Sequence, residues 1–355
     1  MTSATILLAV MWVGMTAYIL FAGADFGGGF WDLFAGSAEN GRRTRSLIEH
    51  ALGPVWETNH VWLIFVLVVL WTGFSPAFAA VMSTLYIPLT AAALGIIARG
   101  SAFAFRKASD QLWQQRLFGA TFAFSSVATP YFLGTVAGAV ASGRVPPGLA
   151  RGDIWGSWWN PTSTVTGLLA VAVCAYLAAV YLTHDAERSA PELVEPLRRR
   201  AVLAGVAAGV LSAVGLLVLR TDAPTLFAEL TGGPGGLLAA ASALCGLASL
   251  GLLVLRRYVA VRLTAAATVT AVMWAWATGQ YPLVLPPRVT ISAVQSTPAV
   301  LDATLVALAA GAVLLVPSLI WLYTLFQRQE PVPSPPAGTP SDAPSKAQPS
   351  GREGR

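Results

Sequence analysis

Stretches of about 20 residues with almost no charge recur nine times along this chain, near 5–24, 56–75, 79–101, 114–140, 162–183, 201–219, 235–255, 259–280 and 302–326. The hydrocarbon core of a bilayer takes about 20 apolar residues per helix. A backbone crossing it must satisfy its own N–H and C=O groups. The recurrence therefore predicts an all-α polytopic membrane protein with nine transmembrane helices. Only 11% of the 355 residues are charged, against about 25% in a soluble domain. So few charges cannot cover a soluble surface of this size. That excludes an ordinary cytosolic enzyme, a disordered chain and a nucleic-acid-binding domain.

Loop charge orients the helices. With the N-terminus outside, 18 of the 22 Lys and Arg residues fall on the inner side, and only Arg144, Arg151, Arg220 and Arg288 fall outside. The bias follows the positive-inside rule and predicts N-out, C-in. It also accounts for the net charge of +5 without nucleic acid. Helices one to four return the chain to its starting face, and helices five to eight do so again. The expected plan is two four-helix bundles, 1–140 and 141–301, plus a peripheral ninth helix at 302–326. Residues 327–355 hold seven prolines and few apolar groups, which predicts a disordered Pro-rich cytoplasmic tail.

Smaller features fit this plan. Residues 1–24 lack a basic leader and are long enough to span, so no cleavable signal peptide is expected. Trp155, Trp158 and Trp159 precede helix five at the depth that indole rings favour. Pro76 favours an end to helix two. The segment 42–55 places Leu47, Ile48, Ala51 and Val55 on one face, as in a surface-lying amphipathic helix. Cys174 and Cys245 sit in apolar runs and read as small buried hydrophobes.

Ionisable groups at membrane depth are costly and are usually functional. Asp25 ends the first apolar run, Glu57 opens the second and Arg99 lies near the inner end of the third. Glycines at 27–29 permit a sharp exit from the membrane after Asp25. The topology puts all three charged groups at the inner side, where two carboxylates and an arginine can form a buried network. Desolvation favours the neutral acid and a neighbouring arginine favours the ionised one, and a group poised between them relays protons. The alternatives are structural pairing of the acids, with Glu57 capping its helix N-terminus, and snorkelling of Arg99 to the interface. His60, one turn from Trp56, reads either as a proton relay or metal ligand, or as a packing residue.

Absence also informs. Haem takes axial His, Met, Cys or Tyr ligands. The chain has three histidines (His50, His60 and His184) and five methionines. These do not assemble a multi-haem site on facing helices, so no cofactor or metal bound directly by this chain is expected.

The segment Trp56-Glu57-Thr58-Asn59-His60-Val61-Trp62, after Gly53-Pro54, resembles the signature of subunit II of bd-type quinol oxidases. Asp25-Phe26-Gly27, Arg99 with Phe103-Ala104-Phe105-Arg106, and Leu301-Asp302-Ala303-Thr304 are similar to that family as well. The family's usual Asp-Gly-Phe-Asp stands here as Ala22-Gly23-Ala24-Asp25, and its usual Asp stands as Glu57. The resemblance implies a multi-pass subunit of the bacterial plasma membrane beside a larger haem-bearing subunit I, with a small accessory subunit as a further partner. Haem b and haem d would lie in that partner. The complex would oxidise quinol and reduce oxygen to water with cytoplasmic protons. Glu57, Asp25 and His60 would belong to the proton path, supported by Asn59, Trp56, Trp62 and Arg99. A secondary transporter of a small solute and a purely structural subunit are the competing readings.

Overall fold

The computed structural model describes residues 2–36, 41–52, 56–109 and 111–327, and the expected tail beyond 327 lies outside them. The chain divides into two units, Met1–Val313 and Leu314–Arg355. The second is helical as far as it is described. The elements in order are α1 (Ser3–Leu33), α2 (Arg42–Leu52), α3 (Trp56–Gly73), α4 (Ser75–Thr84), α5 (Tyr86–Ala108), α6 (Leu112–Ala141), α7 (Pro161–Ser189), α8 (Pro191–Asp222), α9 (Pro224–Thr231), α10 (Gly233–Val254), α11 (Tyr258–Gln280), the β1–β2 hairpin (Leu283–Leu285 and Val289–Thr290), α12 (Ile291–Val294) and α13 (Pro298–Gln327). Among the described residues, eight helices are long and apolar enough to cross a membrane, and the apolar part of α3, Asn59–Gly73, is shorter. The protein is therefore an all-helical, multi-pass membrane protein.

Two expectations about the first helices need correction. The glycines at 27–29 do not end the first helix, which continues through them to Leu33, so Asp25 is inside α1 and not at its end. Their role is close packing. A Cβ on Gly27 would lie 1.8 Å from the Cys174 carbonyl oxygen on α7, and one on Gly29 would lie 2.0 Å from Ser126 Oγ on α6. Without side chains there, α1 approaches both neighbours closely, as small residues permit in membrane bundles.

The expected single helix at 79–101 is also divided, into α4 and α5, at Leu85. Pro88 has no N–H for the carbonyl four residues back, at Thr84. Pro76 does the same to Thr72 at the junction of α3 and α4. There the orphaned groups are met from elsewhere in the chain. Ser296 donates its hydroxyl to the Thr72 carbonyl at 2.6 Å and its backbone N–H to Gly73 at 2.8 Å.

The segment at 42–55 forms the helix α2 over Arg42–Leu52 and buries Leu47 and Ile48. Val55 lies outside the described residues. At α7, Pro161 occupies the first turn and Asn160 caps it, accepting the Ser163 N–H at 2.9 Å. Trp155 and Trp159 are exposed and Trp158 is buried. Both cysteines are free, Cys174 buried and Cys245 half-buried. Three apolar clusters fill the first unit. In one of them Trp31, Leu47, Ala102, Phe122, Leu177, Leu197 and Val261 bring α1, α2, α5, α6, α7, α8 and α11 together. α7 therefore packs against helices from both halves of the sequence.

Candidate functional site: a ladder of buried ion pairs

Two residues of α1, seven positions apart, each meet an arginine of α5 that is also seven positions from its counterpart. Seven residues are about two helical turns, so both members of each set lie on one face roughly 10 Å apart. The inner rung is buried. Arg99, only 3% exposed, donates from Nη1 to Asp25 Oδ2 at 2.9 Å and from Nη2 to Asp25 Oδ1 at 2.8 Å, and Asp25 is 1% exposed. Nη2 also reaches the Asp25 carbonyl at 3.0 Å, and Nε donates to Ser126 Oγ at 2.9 Å. Ser126 passes its own hydroxyl proton bond to the Phe122 carbonyl at 2.6 Å. The Phe26 and Phe122 rings cover the guanidinium, with centroids 5.0 and 4.8 Å from Cζ. A bidentate pair with further bonds from Nε and Nη2 is the arrangement in which a buried arginine is tolerated. Arg99 therefore does not snorkel.

The second rung is Asp32 with Arg106, Oδ2 accepting from Nη1 at 2.8 Å. Here a third element joins. Arg45 of α2 donates Nε to Asp32 Oδ1 at 2.8 Å and Nη2 to the Gly36 carbonyl at 2.7 Å, and Glu49 of α2 lies 3.6 Å from Arg106. Asp32 is 6% exposed, and the two arginines are partly open to solvent.

The other sequence candidates gather on α3. Asn59 is buried and donates from Nδ2 to the Phe21 carbonyl on α1 at 3.4 Å. The His60 ring stands edge-on to Tyr18 and Phe26, with centroids 6.3 and 6.0 Å away. Phe26 thus touches His60 on one side and carries Arg99 on the other, joining the first turns of α3 to the inner rung. Trp62 packs against the small cluster of Tyr18, Ala22, Phe26 and Cys174. The backbone of Trp56 and Glu57 is helical, and their side chains lie outside the described residues.

Two of the three expected network members, Asp25 and Arg99, are thus in direct contact. Asp32 and Ser126 are not among the sequence candidates, Arg45 enters there only as a loop charge, and Phe26 and Arg106 enter as members of the family-like motifs. The available signal was the seven-residue interval shared by Asp25–Asp32 and Arg99–Arg106.

A haem takes axial His, Met, Cys or Tyr donors. Among the described residues, no three His, Cys, Asp or Glu side chains converge on a metal position. His60 is packed among aromatics, His184 lies 3.4 Å from Glu187, and Met11 and Met273 are core residues.

Comparison with known proteins decides the family. Residues 3–326 match the family model described as cytochrome bd terminal oxidase subunit II. The chain belongs to this family. A segment of 131 residues is 33% identical to the cytochrome bd ubiquinol oxidase subunit 2 of Bacillus subtilis, covering 37% of each chain. A segment of 87 residues is 30% identical to a putative cytochrome bd menaquinol oxidase subunit II of the same organism, covering 24% of this chain and 25% of that one. The aligned segments thus span little more than a third of these subunit II relatives at most. A solved structure of bd oxidase from Geobacillus thermodenitrificans superposes with a TM-score of 0.79 at 26% identity, over 93% of this chain and 100% of that one.

Proposed function

We propose that this chain is the haem-free subunit II of a bd-type terminal oxidase. In that complex quinol is oxidised and oxygen is reduced to water, with the redox groups, haem b and haem d, held by a larger subunit I. The observation that carries the reading is the family match over residues 3–326. The similarity of fold to a bd oxidase supports it. The family's name does not describe a solute transporter, so that alternative is set aside.

In this reading the chain crosses the membrane nine times, N-out and C-in, as two four-helix units, a ninth helix and a cytoplasmic tail. The apolar α3 is the remaining crossing. The side-chain pairings of Arg43, Arg45, Arg106, Arg198, Arg199 and Arg256 gather arginines near one end of the helices, which supports placing that end in the cytoplasm.

The chain's own chemistry is the supply of protons. Glu57, in the first turn of α3, is the acid that takes a cytoplasmic proton and releases it toward the partner. His60 and Asn59 hold that turn against α1, and Trp56 and Trp62 flank it. Asp25 belongs to the same route as a second member. Both its oxygens accept from Arg99, which fixes its place beside the first turns of α3. The haem groups of the partner supply the oxygen chemistry when bound.

The test is Glu57→Gln in the assembled complex. Quinol-driven oxygen consumption is expected to fall on the order of 100-fold, the lower end of what a positioned acid or base contributes, with haem content unchanged. Full turnover at normal haem content contradicts the assignment.

A further inference from the structure

Asp32 takes no part in the expected proton path, yet it is the point where three elements are tied together. Its two oxygens are divided between helices, Oδ1 to Arg45 of α2 and Oδ2 to Arg106 of α5, both at 2.8 Å. It is nearly as buried as Asp25, while its partners remain partly open to water. The α2 side of this junction is short and local. Arg45 continues to the Gly36 carbonyl at the exit from α1, Glu49 faces Arg106, and Leu47 and Ile48 seat the helix in the core that contains Trp31 and Ala102. α2 ends at Leu52, and four residues later the chain enters α3, with Glu57 in its first turn. Among the described residues, α2 buries Thr44, Leu47 and Ile48, and Arg43 reaches Glu192 of α8 at the surface. The charged junction at Asp32 is the tie that joins it to both α1 and α5.

We propose that Asp32 is a positioning residue, a latch that seats α2 on the inner ends of α1 and α5 and so fixes where α3 begins and where Glu57 stands. The inference rests on the proton-supply reading of Glu57 and extends it. The two rungs then have different tasks. Asp25–Arg99 holds α1 to α5 in the bundle interior. Asp32 repeats the contact at the exposed end and shares its second oxygen with the segment that leads to the acid. A carboxylate is suited to this because it accepts from two guanidinium groups at once. An amide offers one oxygen and meets the second arginine with N–H donors.

The geometry separates the latch from general stability. Arg45→Gln removes the α2 arm and leaves the Asp32–Arg106 rung intact. In the complete complex carrying Arg45→Gln, amide exchange over residues 42–52 is expected to rise on the order of tenfold, while α6 and α7 keep wild-type protection. Oxygen consumption is expected to fall on the order of tenfold at unchanged haem content, the loss growing as pH rises and in heavy water, because proton uptake then limits the rate. Asp32→Asn gives the same pattern, more strongly. A purely structural role lowers the amount of assembled enzyme but leaves its pH profile and solvent isotope effect at wild-type values, and that result overturns the latch. Unchanged exchange over 42–52 in Arg45→Gln overturns it as well. Glu57→Gln, measured alongside, distinguishes the two failures. If Glu57→Gln is slow and Arg45→Gln is normal, the latch alone is wrong. If Glu57→Gln turns over normally, the proton-supply reading fails and the functional part of the latch fails with it.

Discussion

Asp25 and Arg99 form a two-bonded ion pair in the interior of the bundle, with Ser126 on the remaining edge of the guanidinium and aromatic rings on its faces. Such a pair contributes little net stability against an apolar replacement of the same shape, but stranding one member is expensive. Arg99→Met is therefore expected to destabilise the chain by about 3–5 kcal/mol. Asp25→Leu combined with Arg99→Met restores most of the loss, because no charge is then left alone. Thermal unfolding of the purified complex, read by size-exclusion recovery, checks both. A double variant as unstable as Arg99→Met alone contradicts the pairing.

The glycines of α1 give a steric prediction. Gly27→Ala places a methyl group against the backbone of α7 and has no flexible side chain to displace. It is expected to cost about 1–3 kcal/mol, as overpacking does. Gly119→Ala, on α6 where nothing lies within 4 Å, is expected to be neutral or slightly stabilising. Yield and thermal midpoint of the two variants, compared directly, decide it.

How much of this was legible beforehand differs by level. The apolar runs marked the eight helices that, among the described residues, are long and apolar enough to cross a membrane, and also α3, whose apolar part is shorter. The course of α1 past Asp25 is not legible, because Gly27, Gly28 and Gly29 look the same in sequence whether they break a helix or let two helices touch. Only the positions of Cys174 and Ser126 on the facing helices decide between these. The division at Leu85 was written in Pro88, but a single proline near a helix start also fits an unbroken helix. Asp25 and Arg99 stood out because charge in an apolar run is rare. Asp32 did not, because it lies beyond the first apolar run at 5–24, past the glycines at 27–29, and its burial depends on α2 and α5 reaching it from elsewhere in the chain.

Ser296 gives a sharper local test. It satisfies the carbonyls of Thr72 and Gly73 where Pro76 withdraws the helical donor. Ser296→Ala keeps the backbone bond and loses the hydroxyl bond, at an expected cost of about 1 kcal/mol. Hydrogen exchange at the α3–α4 junction is expected to rise in the variant, and an unchanged profile contradicts the capping role.

The loop before α7 carries a pH dependence. The Asp153 carboxylate accepts the Gly156 N–H at 2.6 Å and the Trp155 N–H at 2.8 Å, and these bonds hold its pKa below the ordinary carboxylate value of 3.8. A lowered folded pKa means that the turn's contribution is complete above that ordinary value and is lost as pH falls through the lower one. Protection of the Trp155 and Gly156 amides, corrected for intrinsic exchange, is therefore expected to be flat above about pH 5 and to fall below about pH 4. Asp153→Asn removes the dependence.

The most direct test of the central reading is isolation of this chain from its native membrane in mild detergent, followed by a reduced-minus-oxidised spectrum of what accompanies it. The account predicts a second, larger polytopic chain in the eluate, with haem b and haem d signals in proportion to it. An eluate that holds this chain alone, without haem and without a large partner, contradicts the account and returns the buried carboxylates to a role outside oxygen reduction.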